Sequence, residues 1–401
     1  MIKKAFGYIT HPFKRLSFKI KYKCRFNSAH KKISRKQNRK NPEVSLVITG
    51  GGLGDFFVNL PMIQSIVDSN RKVVVLTPFM SGYPYKYNEL NHDFDLVVIN
   101  IEKWSCLFDN KKTMNEMSKE LGKYCVKEVF NLGPVSFPEI EEAIRGFKYA
   151  KKYSFVSRYT RIGNYPVPLE EFNKIKERYD LFYQGEFEKT NYQIQKEFLK
   201  ALDIKFVDKN HKYNYVNFES NLVPKEDYFV IFLNGMNDPR DASLNIFVGV
   251  ANHIYDKYKY KLVLMGGKDD LRTVMFMRHI PKEDVINIRG KTSLGDYIEV
   301  IKHARIVISS DTSASHLANA YETKSVVFCT DMFDNALFPY EWGFGEKGQL
   351  IIQNKMECNH CYYRYNNKQF RPECEKRYVC ADSYDLNDSI KKIEEFFKGE
   401  I

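Results

Sequence analysis

Asp311-Thr-Ser-Ala-Ser-His-Leu-Ala-Asn-Ala320 follows an apolar predicted strand, Arg305-Ile-Val-Ile-Ser309, and begins a predicted helix. Small hydroxylic residues, a carboxylate and an imidazole thus stand at a strand-to-helix turn. The first N–H groups of a helix have no partner within it, and the helix dipole there favours anions. The turn is therefore a candidate site for a phosphate or pyrophosphate. The alternative is an ordinary capped helix, with Asp311 or Thr312 as N-cap and His316 on the surface.

A second turn of this kind, rich in glycine, follows the predicted strand 44–49. Gly50-Gly-Gly-Leu-Gly-Asp55 leads into an apolar helix that contains Pro61. Glycine permits a tight turn and a close approach of ligand to backbone. Asp55 stands at the carboxyl end of the first strand, where open α/β sheets bind ligands. The alternative role for Asp55 is that of a helix cap.

Two common nucleotide motifs are excluded by their spacing. A dinucleotide fingerprint needs G-x-G-x-x-G, and the last glycine would fall on Asp55 or Phe57. A phosphate-binding P-loop needs a glycine five residues before Gly290-Lys-Thr292, and that position is Val285.

The positive charge of the chain is concentrated at its start. The 401 residues carry a net charge of +12, whereas residues 1–42 hold fourteen Lys and Arg and no acid, so the rest is slightly acidic. Aromatic and aliphatic residues such as Phe6, Phe13 and Phe26 interleave with these charges. The pattern favours an interfacial segment on an anionic membrane surface. A disordered solubilising tail and a nucleic-acid-binding arm stay open as alternatives.

Neither a membrane-spanning run nor a secretory signal is expected. No run of 18 apolar residues is present, and the apolar stretch after Met1 is short. Four of the eight cysteines cluster in the pattern Cys358-x2-Cys361-x12-Cys374-x5-Cys380. Structural zinc, a disulfide-bonded loop and reduced thiols are all compatible with this spacing, and four thiolates would leave a zinc ion no open position for catalysis.

Alternation of apolar strands and helices predicts an α/β protein of two units. Strands are predicted at 44–49, 72–77, 95–99 and 126–131, and a second series begins at 228–233. The polar stretch 208–227 is the predicted boundary. We expect a basic aromatic tail at 1–43, an acceptor-side domain at 44–220, a nucleotide-sugar domain at 221–383 with the cysteine cluster 358–380, and a C-terminal helix at 384–401. Residues 134–190 are interpreted as helices and loops that cover a cleft.

Four segments in this order resemble the bacterial heptosyltransferases of glycosyltransferase family 9. They are Gly52-Leu-Gly-Asp-Phe-Phe-Val-Asn-Leu-Pro61, Met265-Gly-Gly-Lys-Asp-Asp270, Asn287-Ile-Arg-Gly-Lys-Thr-Ser-Leu294 and Ser310-Asp-Thr-Ser-Ala-Ser-His-Leu-Ala318. The resemblance implies a GT-B fold, in which two Rossmann-like domains face each other across a cleft. It also implies inverting transfer from a nucleotide-diphosphate sugar without a catalytic metal.

The resemblance assigns roles to individual residues. Asp55 matches the proposed general base, with Gly52 and Gly54 in the acceptor-side loop. The donor-binding set comprises Asp311, Thr312, Ser313, His316, Gly266, Gly267, Lys291 and, as the nearest basic counterpart in its loop, Arg240. Ser313 stands where the family usually has glycine, and it would be strained if that position needed a positive φ.

The expected function is thus a metal-independent transfer of heptose or a related sugar to a lipid-linked glycan such as the lipopolysaccharide core. We expect this peripheral enzyme on the cytoplasmic face of the inner membrane, held by residues 1–42 and without a nucleic-acid partner. The alternatives are a nucleotide-sugar or glycan-binding protein that has lost catalysis, marked by Ser313, and a protein that docks on nucleic acid through its tail.

Overall fold

The fold is known from a computed structural model. It describes residues 31, 33–34, 38–50, 52–78, 94–99, 111–132, 138–156, 161–162, 165–166, 169–184, 189–207, 219–233, 241–268, 270–330, 345–353 and 379–398. Within these ranges no helix is long and apolar enough to cross a membrane.

The first unit is a six-stranded parallel sheet covered by helices. Its strands pair in the order β3-β2-β1-β4-β5-β8, and β6 and β7 form a separate antiparallel ribbon. The strands are β1 (Glu43–Ile48), β2 (Val73–Pro78), β3 (Asp95–Ile99), β4 (Cys125–Asn131), β5 (Lys151–Val156), β6 (Arg161–Ile162), β7 (Tyr165–Pro166) and β8 (Leu181–Gln184). The helices are α1 (Leu53–Asp68), α2 (Lys111–Leu121), α3 (Pro138–Ile144), α4 (Leu169–Lys176) and α5 (Asn191–Lys200).

The second unit repeats this topology. Its six parallel strands pair in the order β11-β10-β9-β12-β13-β14, so the first strand of each unit lies in the middle of its sheet. The strands are β9 (Tyr228–Leu233), β10 (Lys261–Gly266), β11 (Val285–Asn287), β12 (Ile306–Ser310), β13 (Ser325–Cys329) and β14 (Gln349–Gln353). The helices are α6 (Leu244–Tyr258), α7 (Leu271–Met277), α8 (Leu294–Lys302), α9 (Ser313–Ala320), α10 (Val379–Asp382) and α11 (Leu386–Phe397).

One hydrophobic cluster continues from the first unit into the second. Helix α1 covers one face of the first sheet, helix α9 covers one face of the second, and the two helices pack against each other. Phe56 and Phe57 of α1 and Leu317 of α9 belong to this cluster and are almost completely buried. The two units therefore share a core beside the carboxyl ends of β1 and β12.

The alternation of strands and helices is confirmed by both sheets, with shifts of one or two residues at most strand ends. The interpretation of residues 134–190 as helices and loops is wrong for β5 and β8, which extend the first sheet. Strand β14, the edge of the second sheet, was also not predicted. The three are short, and β5 begins with two lysines, so their periodicity is weak.

The core of the first unit includes a residue from the basic segment. Ile33 is 1% exposed and belongs to the cluster beneath α3. A Cβ added to Gly146 would lie 2.8 Å from the Cβ of Ile33, so glycine there leaves room for the isoleucine. The end of the basic segment thus packs on the first unit.

Helix α11 packs on the second unit through Glu394. This carboxylate accepts from Nε2 of His253 at 2.8 Å, from the Tyr258 hydroxyl and from Lys257. Burial opposes ionisation of Glu394, but the bonds from Lys257 and His253 outweigh it and lower its pKa below the usual 4.5.

We expect Glu394→Gln to destabilise the packing of α11 near neutral pH. Since the folded-state pKa of Glu394 is depressed, its contribution is present above about 4.5 and is lost as pH falls through the folded value. The difference in unfolding free energy between wild type and variant, from urea titrations, should shrink as pH falls below about 4.5. Glu395→Gln, on the exposed side of α11, is the matched control. A difference that stays constant with pH would contradict this.

Candidate active site

Asp55 is the third residue of α1, and its side chain folds back over the glycine turn. Its Oδ2 accepts from the N–H of Gly52 at 3.0 Å. A Cβ added to Gly50 would lie 2.7 Å from this oxygen, and one added to Gly52 would lie 3.1 Å from it. The glycines thus make room for the carboxylate itself. Asp55 thus helps to cap helix α1, as the alternative interpretation predicts. It is only half-buried, so it also remains accessible to a substrate.

The helix that follows β12 is capped by Thr312. Its Oγ1 accepts from the N–H of Ala314 at 3.2 Å, and the Ser315 hydroxyl donates to its carbonyl at 2.7 Å. Of the two predicted caps, Thr312 takes the role and Asp311 does not. The Asp311 carboxylate is 14% exposed and lies 3.8 Å from Nε2 of His316. Burial first, and the Asp311 carboxylate second, raise the pKa of the neighbouring Cys329 thiol, which stays neutral.

His316 is not on the surface. It is 4% exposed, and its ring lies against Gly54 of α1. A Cβ added to Gly54 would lie 2.9 Å from Cδ2 of His316 and 3.3 Å from its Nε2. The contact places the turn that carries Asp55 beside the turn that carries Asp311. The sequence assigns these residues to opposite sides of the cleft, and the structure shows that the two sides touch.

Ser313 is accommodated without backbone strain. Ser313 does not have a positive φ angle. Its hydroxyl shares a hydrogen bond of 2.9 Å with the hydroxyl of Tyr297, which is 1% exposed. The serine at this position therefore causes no backbone strain, and its hydroxyl has a buried partner.

The carboxyl edge of the second sheet is organised by a buried arginine that sequence reasoning missed. The side chain of Arg289 is 0% exposed. Its Nη1 donates to the carbonyl of Leu233 at 2.6 Å and its Nη2 to that of Lys268 at 3.3 Å. Gly266 has φ of +139°, and a Cβ there would collide with Arg289 and with the Leu233 carbonyl. This glycine thus serves the packing of Arg289, whose only sequence signal is its place in the segment 287–294.

The structure brings part of the predicted site together. The predicted residues that lie where α1 contacts α9 are Asp55, Gly52, Gly54, Asp311, Thr312, Ser313 and His316. Gly266, Gly267 and Lys291 lie farther along the edge of the second sheet, where Lys291 is exposed and donates to the Asn287 carbonyl at 2.9 Å.

The remaining predicted residues lie largely outside the described ranges. These are Arg240, Cys358, Cys361 and Cys374. Cys380 is described and is buried on α10. Within the described part of the chain, no group of three or more His, Cys, Asp or Glu could hold a metal ion, so nothing there supports the structural zinc, which stays a prediction.

Two Rossmann-like units with facing strand-to-helix turns define the GT-B class of glycosyltransferases. Residues 157–341 match the model of glycosyltransferase family 9 (heptosyltransferase). The match covers a little less than half of the chain, which is accordingly similar to the glycosyltransferases of this family. No curated protein matches it significantly.

Solved structures agree on the fold. A family 9 glycosyl transferase from Veillonella parvula is 13% identical, with a TM-score of 0.62 over 89% of this chain and 98% of that one. The E. coli heptosyltransferase WaaC with ADP is 13% identical, with a TM-score of 0.58 over 88% and 99%. The E. coli ADP-heptose lipopolysaccharide heptosyltransferase II is 10% identical, with a TM-score of 0.59 over 89% and 99%.

We expect the effect of Gly54→Ala to depend on the ring of His316. In the wild type the new Cβ would clash with the ring and push α1 from α9, lowering the melting temperature and kcat/KM. In a His316→Ala background the clash is gone, and alanine should be neutral or stabilising because it is favoured in helices by about 1 kcal/mol. A double-mutant cycle by thermal unfolding measures this coupling. Equal effects of Gly54→Ala in both backgrounds would show that the two residues do not touch.

Proposed function

We propose that the chain is an inverting glycosyltransferase that moves heptose or a related sugar from a nucleotide-diphosphate donor to a lipid-linked surface glycan such as the lipopolysaccharide core. The observation that carries the proposal is the contact of Gly54 with His316. It sets a half-buried carboxylate, Asp55, beside the turn that begins α9. A base and an anion-binding helix start are the two parts that this reaction needs. The WaaC structures with ADP and with ADP-2-deoxy-2-fluoro heptose support a donor of this class.

The proposed step is a single displacement at the anomeric carbon. An acceptor hydroxyl forms a bond to this carbon as the bond to the phosphate oxygen breaks, and attack from the opposite face inverts the configuration. The acceptor proton passes to the Asp55 carboxylate, since a hydroxyl needs a positioned base at neutral pH. The leaving nucleoside diphosphate keeps the bonding electron pair.

The charge that develops on the diphosphate needs preorganised donors. In this proposal the N–H groups at the start of α9 and the side chains of Arg240 and Lys291 supply them. These cations and helix N–H groups would take the role that a metal ion has in other transferases. Asp311 and His316 are proposed to hold the same part of the donor from the side of α9.

Asp55→Asn should lower kcat by about 10²- to 10⁴-fold, because the amide cannot accept the proton. Its oxygen can still accept from Gly52, so the fold and donor affinity should be kept. The measurement is a steady-state assay with donor affinity from calorimetry. Asp68→Asn, at the other end of α1, is the matched control and should keep full activity. A variant at position 55 that retains more than about a tenth of wild-type kcat would remove Asp55 from the role of base.

We further propose that the basic segment holds the enzyme on the cytoplasmic face of the membrane, where a lipid-linked acceptor would lie. Its fourteen positive charges stand before an otherwise slightly acidic chain. Aromatic residues among the charges can enter the headgroup region of an anionic leaflet. Ile33 belongs to the core of the first unit. A truncation that is meant to spare the fold must therefore end before residue 31.

Deletion of residues 1–30 removes eight of the fourteen positive charges and the aromatic residues among them. It should greatly weaken binding to anionic liposomes and leave turnover of a soluble acceptor nearly unchanged. Wild-type binding should weaken with salt, because exposed charges are screened over about 8 Å at physiological ionic strength. Co-sedimentation with neutral and anionic liposomes measures this. Replacement of the tail lysines and arginines by glutamine is the control at constant length. Equal binding to both liposomes would count against the proposal, and steep salt-dependent binding to RNA or DNA instead would favour a nucleic-acid arm.

A further inference from the structure

A buried ion pair lies beneath the donor-side turns. The side chain of Asp241 is 0% exposed and forms an ion pair with the guanidinium of Arg272, which is 12% exposed. Asp241 begins the segment that leads into α6, and Arg272 is the second residue of α7. The guanidinium also lies 5.7 Å from the centroid of the Phe247 ring.

The pair is part of a closed network with the end of β12. The hydroxyl of Ser310 donates to Oδ1 of Asp241 at 2.5 Å and accepts from the N–H of Ala242 at 3.0 Å. Nη2 of Arg272 donates to the carbonyl of Ala242 at 2.6 Å. Three elements, the start of α6, helix α7 and strand β12, are thereby joined at one point.

Both anchors of this network adjoin donor-side residues. Ser310 directly precedes Asp311, and Asp241 directly follows Arg240. Strands β9 and β12 are neighbours and run parallel, so their carboxyl ends lie at the same edge of the sheet. Neighbouring strands are about 4.8 Å apart. The three residues Asp241, Arg272 and Ser310 thus tie the start of α6 to the residue that precedes Asp311.

A gain in folding stability does not by itself account for a buried ion pair such as Asp241 with Arg272. Removal of two charges from water costs about as much as their attraction returns, and apolar residues of similar volume often replace a buried pair without loss. A buried pair that fixes geometry has a role that apolar residues cannot fill.

We propose that Asp241 and Arg272 are positioning residues for the donor, which through Ser310 hold the turn of Asp311 against the start of α6 in the geometry that a bound diphosphate requires. The inference rests on the proposed function for the identity of the ligand. Neither residue needs to touch the donor. Their removal should weaken donor binding and leave acceptor binding unchanged.

The test compares four full-length proteins: wild type, Arg272→Lys, the apolar pair Asp241→Leu with Arg272→Met, and Lys261→Met. Lys261 forms an ion pair with Asp284 at the amino ends of the strands of the same sheet, so Lys261→Met is the matched control. Calorimetry with ADP should show at least a tenfold rise in Kd for the two site variants and none for the control. Steady-state kinetics should show a raised KM for the donor and an unchanged KM for the acceptor. Wild-type affinity for ADP in a folded Arg272→Lys or apolar-pair variant would overturn the inference.

A second measurement does not need the donor. Amide exchange at Ala242 and Thr312 should quicken together in Arg272→Lys, which keeps the charge and loses the planar fork, and should not change in Lys261→Met. Unchanged exchange at either amide would overturn the inference. If wild type fails to bind ADP, an ADP-sugar donor is excluded, and this exchange result still decides whether the pair positions the start of α6 and the turn of Asp311.

Discussion

The close packing of α1 on α9, which brings the two strand-to-helix turns together, depends on the contact of one glycine with one imidazole. Gly54 of α1 has no side chain, so His316 of α9 can lie against its backbone. The two helices then pack closely enough to share a hydrophobic core. Because each helix begins where a central strand ends, this packing sets the two strand-to-helix turns face to face. A larger residue at position 54 would separate the units just where the base and the donor turn must meet.

Buried cations organise the donor side of the cleft. Arg289 bonds to backbone carbonyls at the ends of β9 and β10, and Arg272 pairs with Asp241 beside the end of β12. Strand ends leave carbonyl groups without ladder partners, and a planar guanidinium satisfies several of them at once. The glycine at 266 is required by this packing. The same edge that is predicted to bind an anionic ligand is thus held in place by positive charges that lie below its surface.

Much of the fold and part of the site could be predicted from local patterns. Apolar runs such as 228–233 are buried on both faces and were recognised without a structure. The positions of Asp55 and Asp311 follow from the strands before them. The runs that form β5 and β8 were missed because they are short and mixed with polar residues. Ile33 was assigned to the tail because the charges around it conceal a single buried side chain.

The sequence by itself determined that there are two α/β units, that glycine and hydroxylic turns stand at their strand ends, and that a basic segment precedes them. These properties are local, since they depend on hydrophobic period and on residue types at short spacing. Only the tertiary structure decided that Gly54 meets His316, that Thr312 is the cap, that Ser313 bonds to Tyr297, and that Arg272 and Arg289 lie under the donor side. Most of these contacts join residues from different helices and strands that are far apart in the sequence. No short pattern along the chain encodes which of them meet.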